Sequence, residues 1–260
     1  MTRAITALLL LAALVRPSYS AEPAVITSSE ALAESMRKAR FSDGFEVRMN
    51  VSKVQPDGHR FPPLKLAVIG QISIERERLL FRGISPDKVR NRFFAAEKRA
   101  TGDIRSIAYD EHISGSLVEA APFTKVFDTD LVIWDMFAPW WSWPKQSVGG
   151  TEQIAGHDCT IVRSQSDAGI SPIREVISCV DESERLSLRT QLFDGHHTLV
   201  RTISVEQTMR KESGVSAATR MSITGIDKSI TEVEVYSGDE HYRITVDTFS
   251  AFDSRSAINR

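Results

Sequence analysis

The sequence predicts a mainly β protein built on a single, strongly curved antiparallel sheet with few helices. Three observations predict it. Apolar and polar residues alternate with period two from Phe45 almost to the C-terminus, broken at intervals by Gly- and Asp-containing turns. No long helical crossover separates these runs, which excludes doubly wound and TIM-type folds. Finally, residues 130–146 (DLVIWDMFAPWWSWPKQ) hold all 4 tryptophans of the 260-residue chain, and a large sheet must either close into a barrel or carry something apolar over its concave side.

In chain order, the first 20 residues read as an export leader. Arg3 precedes an apolar run over 5–15, Pro17 ends it, and Ser18 and Ser20 fit the −3 and −1 positions of a signal-peptidase site, so the mature chain starts at Ala21. The run is shorter than the ~20 apolar residues needed to span a bilayer; an uncleaved anchor is the alternative reading. No cysteine lies beside the cleavage site, which excludes lipid attachment there. Residues 21–260 are then one exported, soluble domain. Removing Arg3 and Arg16 leaves 30 of the 32 basic residues against 34 acidic ones, a formal charge of −4. That balance gives no electrostatic case for nucleic acid, which requires a basic face.

After the leader, TSSE with Thr27 as cap fits a capping box, and Leu32, Met36 and Ala39 follow at helical spacing, predicting a helix over 27–40. In FEVRMNVSKV, Phe45, Val47, Met49 and Val51 take one strand face, and Glu46, Arg48, Asn50 and Ser52 the other. Asp57-Gly58 turns the chain, and LKLAVIGQISIERERLLFRGI supplies two further strands with ERER near the bend. RLSLRTQLF alternates Leu186, Leu188 and Leu192 against Ser187, Arg189 and Gln191. Asp194-Gly195 is a hairpin signal, and TLVRTISVEQTM follows with Leu199, Ile203 and Val205 on one face. MSITGI, ITEVEVYS and YRITVDTF complete roughly ten strands.

The 2 cysteines, Cys159 and Cys179, lie symmetrically about Gly169. A hairpin turning there sets them opposite each other, at the Cα separation a disulfide requires. Such a bond fits an oxidising compartment and stabilises by roughly 3 kcal/mol. Two separate buried thiols are the alternative, and zinc lacks further ligands at suitable spacing.

In the tryptophan segment, Asp130 is a candidate N-cap for about two turns of helix over 130–138, with Leu131, Trp134 and Phe137 or Ala138 on one face. Pro139 disfavours helical geometry at Ala138, bending the chain into an extended run toward Pro144. A helix so apolar has to lie over an apolar surface, and the open sheet supplies one. Two readings follow. In one the aromatics plug the concavity and the core is dry. In the other Trp134, Phe137, Trp140, Trp141 and Trp143 line or gate an apolar cavity whose floor includes Phe45, Val47, Met49 and Val51.

Three stretches in order, FEVRMNVSKVQPDGHR, DLVIWDMFAPWWSWP ahead of VGGTEQIAGHDCTIVRSQ, and CVDESERLSLRTQLFDGHHTLVRTI, resemble the LolA-like group of outer-membrane lipoprotein-sorting proteins over 31–252. The turn Gly150-Thr-Glu152-Gln-Ile-Ala-Gly156 is similar to the group's Gly-x-Glu-x-x-Gly pattern, with one extra residue before the second glycine. The resemblance implies an open half-barrel covered by helices, with a hydrophobic cavity for lipoprotein acyl chains or other lipids. It implies a periplasmic carrier working between an inner-membrane exporter and an outer-membrane acceptor; the chain reads as a monomer that needs no cofactor. Related periplasmic proteins use the same half-barrel as stress sensors with a membrane partner, the alternative function. After Phe252 only DSRSAINR remains, which favours the carrier. The tryptophan density and the cysteine pair depart from the group.

No catalytic constellation accompanies these features. His196-His197 follows the Asp194-Gly195 turn, a solvated hairpin tip where adjacent strand residues point to opposite faces, so it is no metal site. Neither a phosphate loop, a dinucleotide fingerprint nor a nucleophile elbow occurs, and the sequence reads as a binding protein rather than an enzyme.

Overall fold

The computed structural model of the chain describes residues 28–111, 115–167, 171–211, 214 and 216–250. The leader, Thr27, Gly169 and the chain after 250 lie outside the described residues. Helix α1 spans Ser29–Lys38, and its cap is Ser28, whose side chain accepts from the Ala31 N–H. The cap thus sits one residue later than the TSSE pattern predicts. The first meander comprises β1 (Ser42–Val54), β2 (Leu64–Ile72), β3 (Arg76–Ser85), β4 (Arg92–Arg99), β5 (Ile104–Asp110) and β6 (Leu117–Ala120). A linking segment carries the short helix α2 (Ile133–Met136). The second meander follows as β7 (Lys145–Ile154), β8 (His157–Gln165), β9 (Ile173–Asp181), β10 (Leu186–Asp194), β11 (Leu199–Arg210), β12 (Ser216–Gly225) and β13 (Ile230–Asp239).

These strands form one 13-stranded sheet in the order β6-β5-β4-β3-β2-β1-β13-β12-β11-β10-β9-β8-β7. Each pairing is antiparallel, and the two meanders join where β1 pairs with β13, Val51 facing Val233. The sheet is an open, curved half-barrel. Its edge strands β6 and β7 are neighbours in sequence, so the chain between them has to return across the sheet.

Alternation divides the apolar residues between two faces. The concave face carries Met49, Val51, Leu66, Val68, Leu79, Phe81 and Phe94 from the first meander, with Ile223 and Val233 from the second, and Phe45 and Val47 pack partly buried against them. Gly70 leaves room for the Phe45 ring, since a Cβ there would fall 2.3 Å from the ring's Cζ. The concave face continues through Val162, Val176, Val180 and Leu192. On the outer face, Ile69, Leu80, Ala95 and Ile107 are covered by Phe249 with Tyr242 and Ile244 from the chain after β13.

Two sequence expectations shift in register. Leu188 does not share a face with Leu192. A bulge between Ser187 and Arg189 puts Leu188 and Leu186 on the outer face with the cysteines, while Leu192 stays on the concave one. A second irregularity between Leu192 and Phe193 turns Val200 inward and leaves Leu199 exposed.

Candidate functional site

The segment joining the two sheet edges covers the concave face. Its first part folds back on itself, with a bridge between Lys125 and Val132 and the Val126 N–H donating to the Leu131 carbonyl at 2.8 Å. Phe127, at the tip, is held in the left-handed region at φ 50° and packs edge-on against Phe94 of β4. Such a conformation is costly for an aromatic residue and persists because burial over-determines it.

Asp130, expected to cap a helix, does not. Helix α2 begins at Ile133 after Val132, which gives no side-chain cap. Asp130 is 1% exposed; its carboxylate accepts from the Ser229 and Thr231 hydroxyls at 2.9 and 3.0 Å and from Lys125 Nζ at 2.7 Å. Its N–H donates to Thr231 Oγ1 at 2.8 Å. A buried carboxylate outbids local capping when three donors converge on it. Burial pushes this group up, but Lys125, Ser229 and Thr231 together hold it below the usual carboxylate range.

The second half of the segment departs from expectation at Ala138. Rather than running extended, the chain turns there through the left-handed region (φ 42°, ψ 52°) and forms a 3-10 turn over Pro139–Ser142. Proline suits that first position, where no N–H is needed. The turn throws the indoles to one side. Phe137 remains with Ile133, Leu131 and Phe127 over Met49 and Val51. Trp134, Trp140 and Trp141 instead pack with Leu32, Ala33 and Met36 of α1 over Val162, Val176, Val180 and Leu192, and Trp143 lies partly buried beside them. The structure thus brings Phe137 onto the Phe45–Val51 floor and sets the four indoles over β8–β10. Trp134 is the hub, stacked on Phe123 at 5.2 Å between centroids and 5.7 and 6.1 Å from Trp140 and Trp143.

Discrete polar ties hold this cover down. Asp135 makes a two-point ion pair with Arg201 of β11 at 2.7 and 2.9 Å. Burial pushes the Asp135 carboxyl up, with Arg201 opposing it. Arg40 donates to the carbonyls of Phe137 and Met136 at 2.6 and 2.8 Å, meeting two orphan acceptors at the end of α2, and its guanidinium also lies 3.1 Å from Glu77 of β3. Gln146 donates to the Trp140 and Trp143 carbonyls at 2.8 and 2.9 Å and accepts from Ser164 at 2.7 Å, while Ser29 of α1 donates to its carbonyl. Sequence reading missed Arg40, Arg201 and Gln146. Arg201 had a signal, because it shares the odd-numbered register of Ile203 and Val205.

Cys159 and Cys179 form a disulfide, with a Cα separation of 5.3 Å. Cys179 faces Ile161 rather than Cys159, so the bridge runs diagonally between β8 and β9, on the face opposite the indoles. The bond fits an oxidising compartment. His197 of the His196-His197 pair is exposed, and among the described residues no group of His, Cys, Asp and Glu could hold a metal ion.

No protein-family model and no curated protein matches the sequence. Solved structures do resemble the fold. A domain assigned to an outer membrane lipoprotein-sorting protein of Vibrio parahaemolyticus aligns at TM-score 0.75 and 12% identity, over 89% of this chain and 98% of its own. A DUF1329 family protein from Desulfovibrio piger aligns at 0.76 and 15%, over 85% and 95%. A LolA superfamily protein from Nitrosomonas europaea aligns at 0.66 and 13%, over 85% and 96%.

Proposed function

We propose, taking the LolA-like half-barrel fold as the premise, that this chain is a periplasmic carrier that binds lipoprotein acyl chains or another lipid under its aromatic cover. In this reading residues 1–20 are its export leader, and 21–260 work as one domain between an inner-membrane exporter and an outer-membrane acceptor. The role is binding and release, not catalysis. One observation carries the proposal. The segment between the sheet edges lays an apolar, aromatic cover across the concave face, yet is tied there by a few separable polar contacts, Asp135–Arg201, Arg40 to the end of α2, and Gln146.

The physical need for such a cover is release. Each methylene buried on binding contributes about 0.8 kcal/mol, so a bare apolar trough would hold a whole acyl chain too tightly to hand it on. A cover that occupies the trough when the lipid leaves competes with the cargo and offsets part of that affinity. Trp134, Phe137, Trp140, Trp141 and Trp143 supply the competing surface, above a floor that includes Phe45, Val47, Met49 and Val51.

The test is to purify the mature protein gently from periplasm, extract it with organic solvent and identify what was bound, then titrate the stripped protein with a fluorescent fatty acid. Co-extracted lipid or saturable uptake supports the carrier. A protein that carries no lipid and takes up neither the fatty acid nor its methyl ester defeats it. If a membrane protein also co-purifies at fixed stoichiometry, the sensor role replaces it.

A further inference from the structure

Two polar side chains, one in the aromatic cover and one on the floor, are buried with nothing to bond. Trp140 and Ser178 are 4% and 0% exposed, and neither Trp140 Nε1 nor Ser178 Oγ has a hydrogen-bond partner among the described residues. Buried donors are nearly always met, so an unmet one in the cover and another on the floor strands it packs against require an explanation. Ser178 sits on β9 between Val176 and Val180, which place it on the concave floor, and it faces Val162 of β8. Trp140 packs in the apolar cluster that includes Val162, Val176 and Val180. Its backbone is fixed by Gln146 to Ser164, whose strand partner is Val176, so it is anchored over the row next to that of Ser178.

We infer that Trp140 and Ser178 form a polar subsite for the ester or amide carbonyl of an acyl chain, which the surrounding valines and indoles would otherwise bind without regard to its polar end. This rests on the carrier reading and narrows it, from any apolar cargo to a neutral acyl derivative. The chemistry selects that class. An indole N–H and a hydroxyl are two uncharged donors, and a carbonyl oxygen has two lone pairs to accept them. A free carboxylate or phosphate would bring a charge into this cluster, where Arg201 is already committed to Asp135 and Arg40 to Glu77 and the α2 carbonyls. The subsite also serves discrimination, because a pure hydrocarbon leaves both donors unmet while an acyl ester satisfies them.

The experiment compares methyl palmitate with octadecane, each delivered from cyclodextrin to the stripped full-length mature protein, with the bound amount measured by gas chromatography. The wild type is expected to prefer the ester. Trp140→Phe and Ser178→Ala should each lower the ratio of ester to octadecane binding about five- to tenfold, the loss of one hydrogen bond; the ratio cancels any change in cover packing at Trp140 that acts on both ligands alike. Ser178→Ala should fold with an unchanged or raised thermal midpoint without ligand, because it removes a buried unmet group at little cost in packing. Variants that keep the ester preference, or a wild type that binds both equally, overturn the subsite and leave the carrier reading standing. A wild type that binds neither overturns both.

Discussion

Arg201 of β11 grips Asp135 of the linking segment through both carboxylate oxygens, at 2.7 and 2.9 Å, and so pins the centre of the aromatic cover to the second meander. Both side chains are largely buried, at 14% and 4% exposed. Removing one partner leaves the other charge buried and unmet. Asp135→Ala and Arg201→Ala should therefore each destabilise by about 3–5 kcal/mol in urea unfolding. A double variant, Asp135→Leu with Arg201→Met, should recover most of that loss, because it deletes the charges together. If the double variant is as unstable as the singles, shape and not charge is what the pair provides.

Asp130 gives the fold an acid limit. Its folded pKa lies below the ordinary value of 3.8, so its stabilisation is fully present above that value and is lost as pH falls through the lower, folded one. Wild-type stability should thus fall below about pH 4, partly through this group. Asp130→Asn should be less stable at pH 7 and show a shallower acid loss. Parallel stability curves for the two proteins between pH 5 and 2 would remove Asp130 from the account.

The disulfide predicts its own contribution. Closing 20 residues between Cys159 and Cys179 should stabilise by about 3 kcal/mol through the unfolded chain. Because the bridge lies on the outer face, the Cys159→Ala, Cys179→Ala pair should lower the unfolding midpoint while leaving fatty-acid affinity unchanged. Thiol alkylation of the native protein should find no labelled cysteine until a reductant is added.

Local pattern made the sheet legible, and long-range polar contacts were not. Strands such as Ser42–Val54 bury one face, so their period shows in sequence. Asp130 reads as a cap because its partners Ser229 and Thr231 lie 99 and 101 residues away, while the capping rule looks only a few residues along. Alternation assigns Leu188 to the wrong face because the bulge beside it adds a residue that alternation cannot count. Proline marked the bend at Ala138, but nothing local announced a left-handed alanine that sends the indoles away from Phe137. Arg201 and Ser178 fall on apolar parity among Ile203, Val176 and Val180. A polar residue in an apolar register was the available signal for both.

Trp134 decides between a permanent plug and a cover that yields to lipid. It is 5% exposed and holds Phe123, Trp140 and Trp143 around it. Truncation to alanine would cost about 3–5 kcal/mol and confuse folding with binding. Trp134→Phe keeps most of the apolar contact and gives up about 1 kcal/mol of stacking. If the cover competes with cargo, that loss falls on the closed, lipid-free state alone. Fatty-acid affinity should then rise by about fivefold as the thermal midpoint falls, since the same free energy appears in both. If the indoles are a plug, the midpoint should fall by the same amount while neither protein takes up fatty acid. Measuring both quantities on one preparation separates the two, because only a competing cover couples weaker closure to tighter binding.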